Sequence, residues 1–322
     1  GSGDLGDADD QMAFGGASYW VSTTDNGDGT STIVSTGLDG RGGARIELTV
    51  EPATQSFFQW GAFGDEWLHL DAQAKVDSYD SNDGLYEDLD VDGSGSSTYA
   101  NANGETGSNG DITLDQNALI YGDSTPGVDG TISILGNGEV TGSTAPMTAP
   151  IEMPAIELPA ITATGALTIA KNGSTSIGPG DIHNTALLAN AGSTLHVYGP
   201  ATVIFDGLRL CSGATITVHA ENGPVDFYIQ NDFVLNSTTT IASTTFKPAD
   251  VRFNLLSDNI INVEDDVDVD NLDFDSNSKM YATLYAPEAM INIDSNFQLY
   301  GSLMARQVDL DPVRVRLDRH AS

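Results

Sequence analysis

The sequence predicts a mainly β protein: a parallel β-helix, or β-solenoid, preceded by a small N-terminal antiparallel β meander. Three observations carry this. Between Leu167 and Gly301, short segments alternate apolar and polar residues, among them Leu195-His196-Val197, Ile216-Thr217-Val218, Phe227-Tyr228-Ile229 and Met290-Ile291-Asn292-Ile293. A period of two is that of a half-buried strand. Gly, Asn, Asp and Ser separate these segments at near-regular spacing, with no helical period between them. Strands this short with tight polar corners suit coils that stack on their neighbours.

The elements follow in order. Residues 1–11 are Gly- and Asp-rich and read as a flexible arm. Residues 12–70 hold the meander and an aromatic group. Tyr19–Thr24 and Thr30–Ser35 flank Asp25-Asn26-Gly27-Asp28-Gly29, a hairpin turn whose residues tolerate positive φ. Ala44–Val50 supplies the third strand. Phe57, Phe58, Trp60, Phe63 and Trp67 form a cluster expected to cap one end of the solenoid, or alternatively to present a sugar-binding or self-association face. Residues 71–141 are acidic loops followed by first rungs such as Asp111–Leu114, Ala118–Tyr121 and Thr131–Ile134. Residues 142–161 carry Pro146, Pro150, Pro154 and Pro159. Proline removes ladder donors and favours extended chain, so this stretch reads as a linker or a strap on the surface. Residues 162–305 are the main solenoid, and 306–322 a basic tail.

Composition narrows the partners. Acids outnumber bases 46 to 12, a net charge of −34. Such a surface repels nucleic acid and anionic lipid and attracts divalent cations or basic partners. The one cysteine, Cys211, excludes an intramolecular disulfide and reads as a small buried apolar residue beside Leu208–Leu210. A disulfide-free secreted protein needs other staples, and bound metal is one. No apolar run reaches the about 20 residues of a membrane span, and no signal peptide is visible. The opening Gly1-Ser2-Gly3-Asp4 suits a mature or trimmed form.

Two acidic motifs point to calcium. In Asp88-Leu89-Asp90-Val91-Asp92-Gly93, carboxylates at alternate positions precede a glycine, as in the first half of a calcium loop. The twelfth position is Tyr99 rather than Glu, so Asp83 or Glu87 would have to complete the shell. In Glu264-Asp265-Asp266-Val267-Asp268-Val269-Asp270, a strand would place Asp266, Asp268 and Asp270 on one face. Like charges that close repel unless a cation bridges them. Asp25-Asn26-Gly27-Asp28 is a weaker candidate.

No catalytic residue is assigned. Stacked aspartates on a β-helix can perform acid–base chemistry on polysaccharides, but acids are so abundant that any pair would look apt. His69, His183, His196, His219 and His320 show no paired ligand spacing and read as structural or exposed. Nucleophile elbow, phosphate loop and Cys-x-x-Cys are absent. Asn172-Gly173-Ser174 and Asn236-Ser237-Thr238 are glycosylation sequons.

Scattered motifs over residues 17–310 resemble the exported part of bacterial PilX-like, type IV pilus-associated proteins. They are Ser35-Thr36-Gly37, Val76-Asp77-Ser78-Tyr79-Asp80-Ser81 with Gly84 and Tyr86, and Ser108-Asn109-Gly110-Asp111-Ile112. Ala118-Leu119-Ile120-Tyr121-Gly122-Asp123, the prolines at 146–159, Leu284-Tyr285-Ala286-Pro287-Glu288-Ala289 and Leu299-Tyr300-Gly301-Ser302 complete the set. The resemblance implies a large acidic β-helical ectodomain, right-handed, displayed on or released from the cell surface. Family members usually begin with an anchoring apolar helix, which this sequence lacks. The rung pattern also resembles bactofilin-type polymers, whose β-helices join end to end.

The expected function is therefore structural: an extracellular, calcium-stabilised subunit of a filament, pilus-like fibre or sheath, self-associating head to tail. Arg306, Arg314, Arg316 and Arg319, with Trp60 and Trp67, are the expected self-association residues, because an acidic body with a basic end suits contact between copies. The alternatives are a cell-surface adhesin or glycan-binding module, and a polysaccharide-active enzyme using Asp266, Asp268 and Asp270.

Overall fold

The computed structural model describes residues 11–26, 31–50, 59–82, 86, 103–257, 260–261, 273–274, 277–293, 297–311 and 313–318. The chain divides into two compact units, Gly1–Ser56 and Phe57–Ser322.

The first unit is the expected antiparallel meander. Strands Met12–Phe14, Ala17–Asp25, Ser31–Asp39 and Gly42–Val50 pair in sequence order. Asp39 Oδ1 accepts hydrogen bonds from the backbone N–H of Arg41 and Gly42 and so closes the last turn. The register places Tyr19, Val21, Ile33, Ile46 and Leu48 on one face. Ile46 and Leu48 remain 69% and 56% exposed there.

The second unit is built from parallel strands in three ladders. The first runs Ser174–Ile177, Thr194–Tyr198, Thr215–His219 and Thr240–Ser243, then residues 279–280 and 298–300. It continues through Arg314–Asp318, Lys75–Tyr79, Leu119–Ile120 and Glu139–Val140. The second runs Gly180–Asn184, Ala201–Phe205, Val225–Ile229 and Val251–Leu255, then residues 283–285, 303–305 and 62–64, then Thr106–Ser108 and Ser124–Thr125. The third begins Leu167–Ile169, Leu187–Ala189, Leu208–Leu210, Phe233–Leu235 and Asp273–Phe274. Its far part stacks Ile260–Ile261, residues 290–293, 307–310 and 67–70, then Asp111–Leu114 and Ile132–Ile134.

Alternation explains why these sequences pair in this way. Leu195, Ile216, Ile241, Met280, Leu299, Val315, Val76 and Ile120 occupy successive inward positions of the first ladder, all fully buried. In the second, the Phe227 and Phe253 rings stack 4.6 Å apart, and Phe233 of the third ladder stacks on Phe253 at 5.0 Å. A one-residue slip would turn each column outward, so the apolar pattern fixes the register. Gly301 permits one close approach: its φ is +138°, and a Cβ there would lie 2.0 Å from the Ala282 carbonyl oxygen.

The order of strands in the stack departs from their order in the chain. The C-terminal strands Gln298–Leu310 and Arg314–Asp318 pair with Ala62–Leu70 and Lys75–Tyr79. The chain thus enters the stack near its middle and runs to one end at Glu139–Val140. It returns outside the ladders and restarts at the other end at Leu167–Ile169. The aromatic stretch expected to cap an end therefore lies mid-stack. The stretch expected to be a basic tail contributes strands to the ladders, because Val315 and Leu317 alternate inward.

The return segment is the proline-bearing strap. Met147 packs with Trp60, Phe63 and Met304, and Ile151, Met153 and Tyr285 lie against them. Asn109 holds Ile151 in both directions: Oδ1 accepts from its N–H at 2.7 Å, and Nδ2 donates to its carbonyl at 2.7 Å. Tyr285 Oη donates to the Pro154 carbonyl at 2.5 Å. His183 meets the Ile161 carbonyl at 2.9 Å, and the Thr164 N–H donates to the His183 carbonyl at 2.7 Å. From Met147 to Pro154, seven residues of extended chain at about 3.1 Å each cover about 22 Å. The Met147 N–H donates to the Pro126 carbonyl at 2.8 Å, next to the strand four spacings of about 4.8 Å, or about 19 Å, from that of Tyr285, and the strap is long enough to span them.

Candidate functional site

The two ends of the stack are the candidate site. At one end, Ile132 lies over Ile112, Ile134 over Leu114 and Val140 over Ile120. The inner residues of each pair are fully buried, whereas Ile134 is 44% exposed and its neighbours Leu135 and Val128 are 50% and 48% exposed. At the other end, Leu167 and Ile177 are half-buried, while Leu187 and Val197 one level inward are buried. Each terminal strand of the first and third ladders has a ladder partner on one side among the described residues. The backbone groups on the other side are a template for a further strand.

Local chemistry holds the corner strands in place. Asp111 Oδ1 accepts from the Thr131 N–H at 2.7 Å and from Thr131 Oγ1 at 2.9 Å. These bonds hold its carboxyl below the usual range, the backbone bond contributing most. Asp123 Oδ1 accepts from the Ser143 N–H at 2.7 Å.

The two ends carry matching sequence in matching register. Ile132-Ser-Ile-Leu-Gly-Asn-Gly-Glu-Val140 and Leu167-Thr-Ile-Ala-Lys-Asn-Gly-Ser-Thr175 place their inward residues and their Asn-Gly corners at the same spacing. All ladders are parallel, so the strands at the 132–140 end run in the same direction as those at the 167–175 end. Glu139 and Asp129 lie at the first end and exposed Lys171 at the second.

The residues singled out from sequence fall differently. Asp83, Asp88, Asp90, Asp92, Asp266, Asp268, Asp270 and Arg319 lie outside the described residues, as does the side chain of Arg314. Arg306 and Trp67 are half-buried within strands. Arg316 and Trp60 are interior, which corrects their expected place on a contact surface. Trp60 packs its ring 5.8 Å from Phe63 beneath the strap. Arg316 is 3% exposed, its guanidinium 4.3 Å over Tyr86 and 4.7 Å over Tyr300. Burial acts to lower its pKa, but Tyr300, Asp77 and Tyr86 outweigh burial and raise it. Tyr86 Oη donates to Asp77, so this cage anchors the one described residue of the acidic stretch 83–102. Burial pushes the Tyr79 and Tyr86 hydroxyls well above their usual range.

The histidines are less isolated than their spacing suggests. His69 Nδ1 lies 2.9 Å from Asp309 and Nε2 3.6 Å from Asp115. The Asp309 hydrogen bond chiefly raises its pKa. His183 Nε2 lies 2.7 Å from Asp206, which also accepts from Gln230 at 2.6 Å. That bond, then the Ile161 carbonyl, raises the His183 pKa. His196 and His219 meet each other. The signal for that pair was present as the advance of about 20–26 residues between paired strands. Cys211 is free and half-buried rather than buried. No helix among the described residues is long and apolar enough to cross a membrane.

Fold and ends define a mainly β protein of stacked parallel strands with an antiparallel sheet before them. Residues 161–321, half of the chain, match the family described as Domain of unknown function (DUF7305), and the chain belongs to that family. No curated protein matches it. Among solved structures, the crystal structure of the competence-associated pilin ComZ from Thermus thermophilus aligns over 98% of this chain and 80% of that one. The identity is 10% and the TM-score 0.30, too low for the likeness to carry an argument.

Proposed function

We propose that the second unit is a β-solenoid whose ends join further copies head to tail, making this protein the subunit of an extracellular filament, pilus-like fibre or sheath. The observation that carries the reading is the match between the 132–140 and 167–175 ends. Both leave apolar columns uncovered, and both repeat the same spacing. Joining them buries those columns and satisfies the free strand edges at once. The resemblance of scattered motifs to PilX-like exported proteins supports a place at the cell surface. The role is structural and not catalytic.

Calcium belongs to the same reading. A body of net charge −34 repels its copies. Asp83, Asp88, Asp90 and Asp92, and separately Asp266, Asp268 and Asp270, are the proposed ligands that let calcium offset the repulsion.

The test is negative-stain electron microscopy with calcium and after chelation, together with a cross-link. Glu139→Cys and Ser174→Cys in a Cys211→Ala background place one thiol at each end. In the joined stack their strands lie about 4.8 Å apart, within disulfide reach. Filaments that form with calcium, and a ladder of covalent oligomers under oxidation, are expected. Single particles in both conditions, with monomeric cross-linking products only, would overturn the proposal.

A further inference from the structure

His196 and His219 lie on neighbouring strands of the first ladder. His196 pairs with Thr217 and Tyr198 with His219, so the two histidines are diagonal neighbours. Leu195, Val197, Ile216 and Val218 point into the core and are fully buried, which turns both imidazoles to the outer face. There His196 Nδ1 and His219 Nε2 stand 3.0 Å apart, with ring planes inclined by 36°.

That separation suits two ligands of one ion. Two nitrogens, each about 2.0–2.1 Å from a metal in tetrahedral or cis-octahedral arrangement, stand about 2.9–3.4 Å apart. The other face of His219 is built to hold its ring. Glu221 Oε1 lies 3.8 Å from His219 Nδ1 and accepts a hydrogen bond from Thr244 Oγ1 at 3.1 Å. At that distance the carboxylate makes no direct hydrogen bond, but its negative charge favours a metal cation bound on the ring's other nitrogen. Tyr198 stacks on the ring, with centroids 4.4 Å apart and planes 9° apart. The His219 side chain keeps 21% of its surface exposed, so further coordination positions face solvent.

We propose that His196 and His219 form a two-histidine site for a divalent transition-metal ion of the zinc, copper or nickel class, with water completing the shell. Imidazole selects these ions over calcium, which prefers carboxylate and carbonyl oxygen. Among the described residues no group of three or more such ligands occurs, so the site has two protein ligands. It is independent of the filament reading.

The test uses the full chain, with calcium in excess to occupy carboxylate sites. Calorimetric titration with Zn2+ is expected to show one ion per chain. Affinity falls at least about tenfold in His196→Gln and in His219→Gln and is retained in His69→Gln. With Cu2+, electron paramagnetic resonance should show hyperfine splitting from two nitrogens that each of the first two variants reduces. Because both side chains face outward, the variants keep the wild-type melting temperature without metal. Zn2+ binding unchanged in both variants, or no calcium-resistant binding in the wild type, would overturn the proposal.

Discussion

Replacing Arg316 with Met tests whether its charge is structural. The guanidinium is 3% exposed between the Tyr86 and Tyr300 rings, and Asp77 beside it is 5% exposed. Methionine fills much of the same volume but leaves the buried acid without its cation. Removing one partner of a buried charge set costs about 3–5 kcal/mol. The cation–π contacts, up to about 2 kcal/mol each when desolvated, overlap with that figure rather than add to it. For a unit of this size, each kcal/mol shifts Tm by about 2–4 °C. Scanning calorimetry of Arg316→Met should therefore show a fall of about 6–20 °C. Adding Asp77→Asn removes the stranded charge and should recover part of the loss. A fall under about 2 °C, or no recovery in the double variant, would refute the account of a caged cation. So would a variant of normal stability that fails to associate end to end, since that would place Arg316 on a contact surface.

Ile134→Lys should weaken the proposed end-to-end association about 30-fold. Ile134 is 44% exposed, so roughly 80 Å² remains to be buried, worth about 2 kcal/mol at 25 cal/mol per Å²; a shift to slowly sedimenting monomer in sedimentation velocity would show it, with Tm nearly unchanged. Tyr285→Phe removes the hydroxyl held by Pro154 and should cost about 0.5–1.5 kcal/mol, with faster proteolysis of the strap as the readout. The histidine contacts give a pH dependence of known sign. His69 and His183 have raised pKa values in the fold. Their stabilisation is complete below the unfolded value of about 6.5 and is lost as pH rises through the raised folded values. Melting curves from pH 5.5 to 8.5 should show Tm falling with pH in the wild type and less so in a His69→Gln, His183→Gln variant. Gly301→Ala should misfold, because the new Cβ meets the Ala282 carbonyl; a soluble variant with wild-type Tm would contradict the tight passage.

Much of the strand pattern was legible. Leu195 and Val197, or Ile216 and Val218, declare an inward face by alternation alone, and the four prolines after Gly142 marked the strap. What was not legible was long-range order. Nothing local in Arg314–Asp318 says that it pairs with Lys75–Tyr79, more than two hundred residues earlier. Arginine and tyrosine on an outward face look like surface chemistry until Tyr86 covers them, so Arg316 read as a contact residue. His196 and His219 have no local ligand spacing, because it is the pairing of their strands that brings together residues so far apart in the chain. Asn137-Gly138 and Asn172-Gly173 do not stand out in the sequence from Asn26-Gly27, Asn103-Gly104, Asn109-Gly110 and Asn222-Gly223, and only the ladder order shows that they lie at the ends.

The strand order gives the second unit an unusual load path. The described strands between Ala62 and Val140 and those between Leu167 and Asp318 form two blocks that meet along a non-covalent seam, where Arg314–Asp318 abuts Lys75–Tyr79 and Asp309 reaches His69. The only covalent link between the blocks is residues 141–166. A pull along the stack would thus fall first on the seam's hydrogen bonds, with the strap as a slack-limited safety line that keeps the halves together once they part. Synthesis meets the same seam in reverse: the first block leaves the ribosome with one face bare and waits for the last strand of the chain to close it.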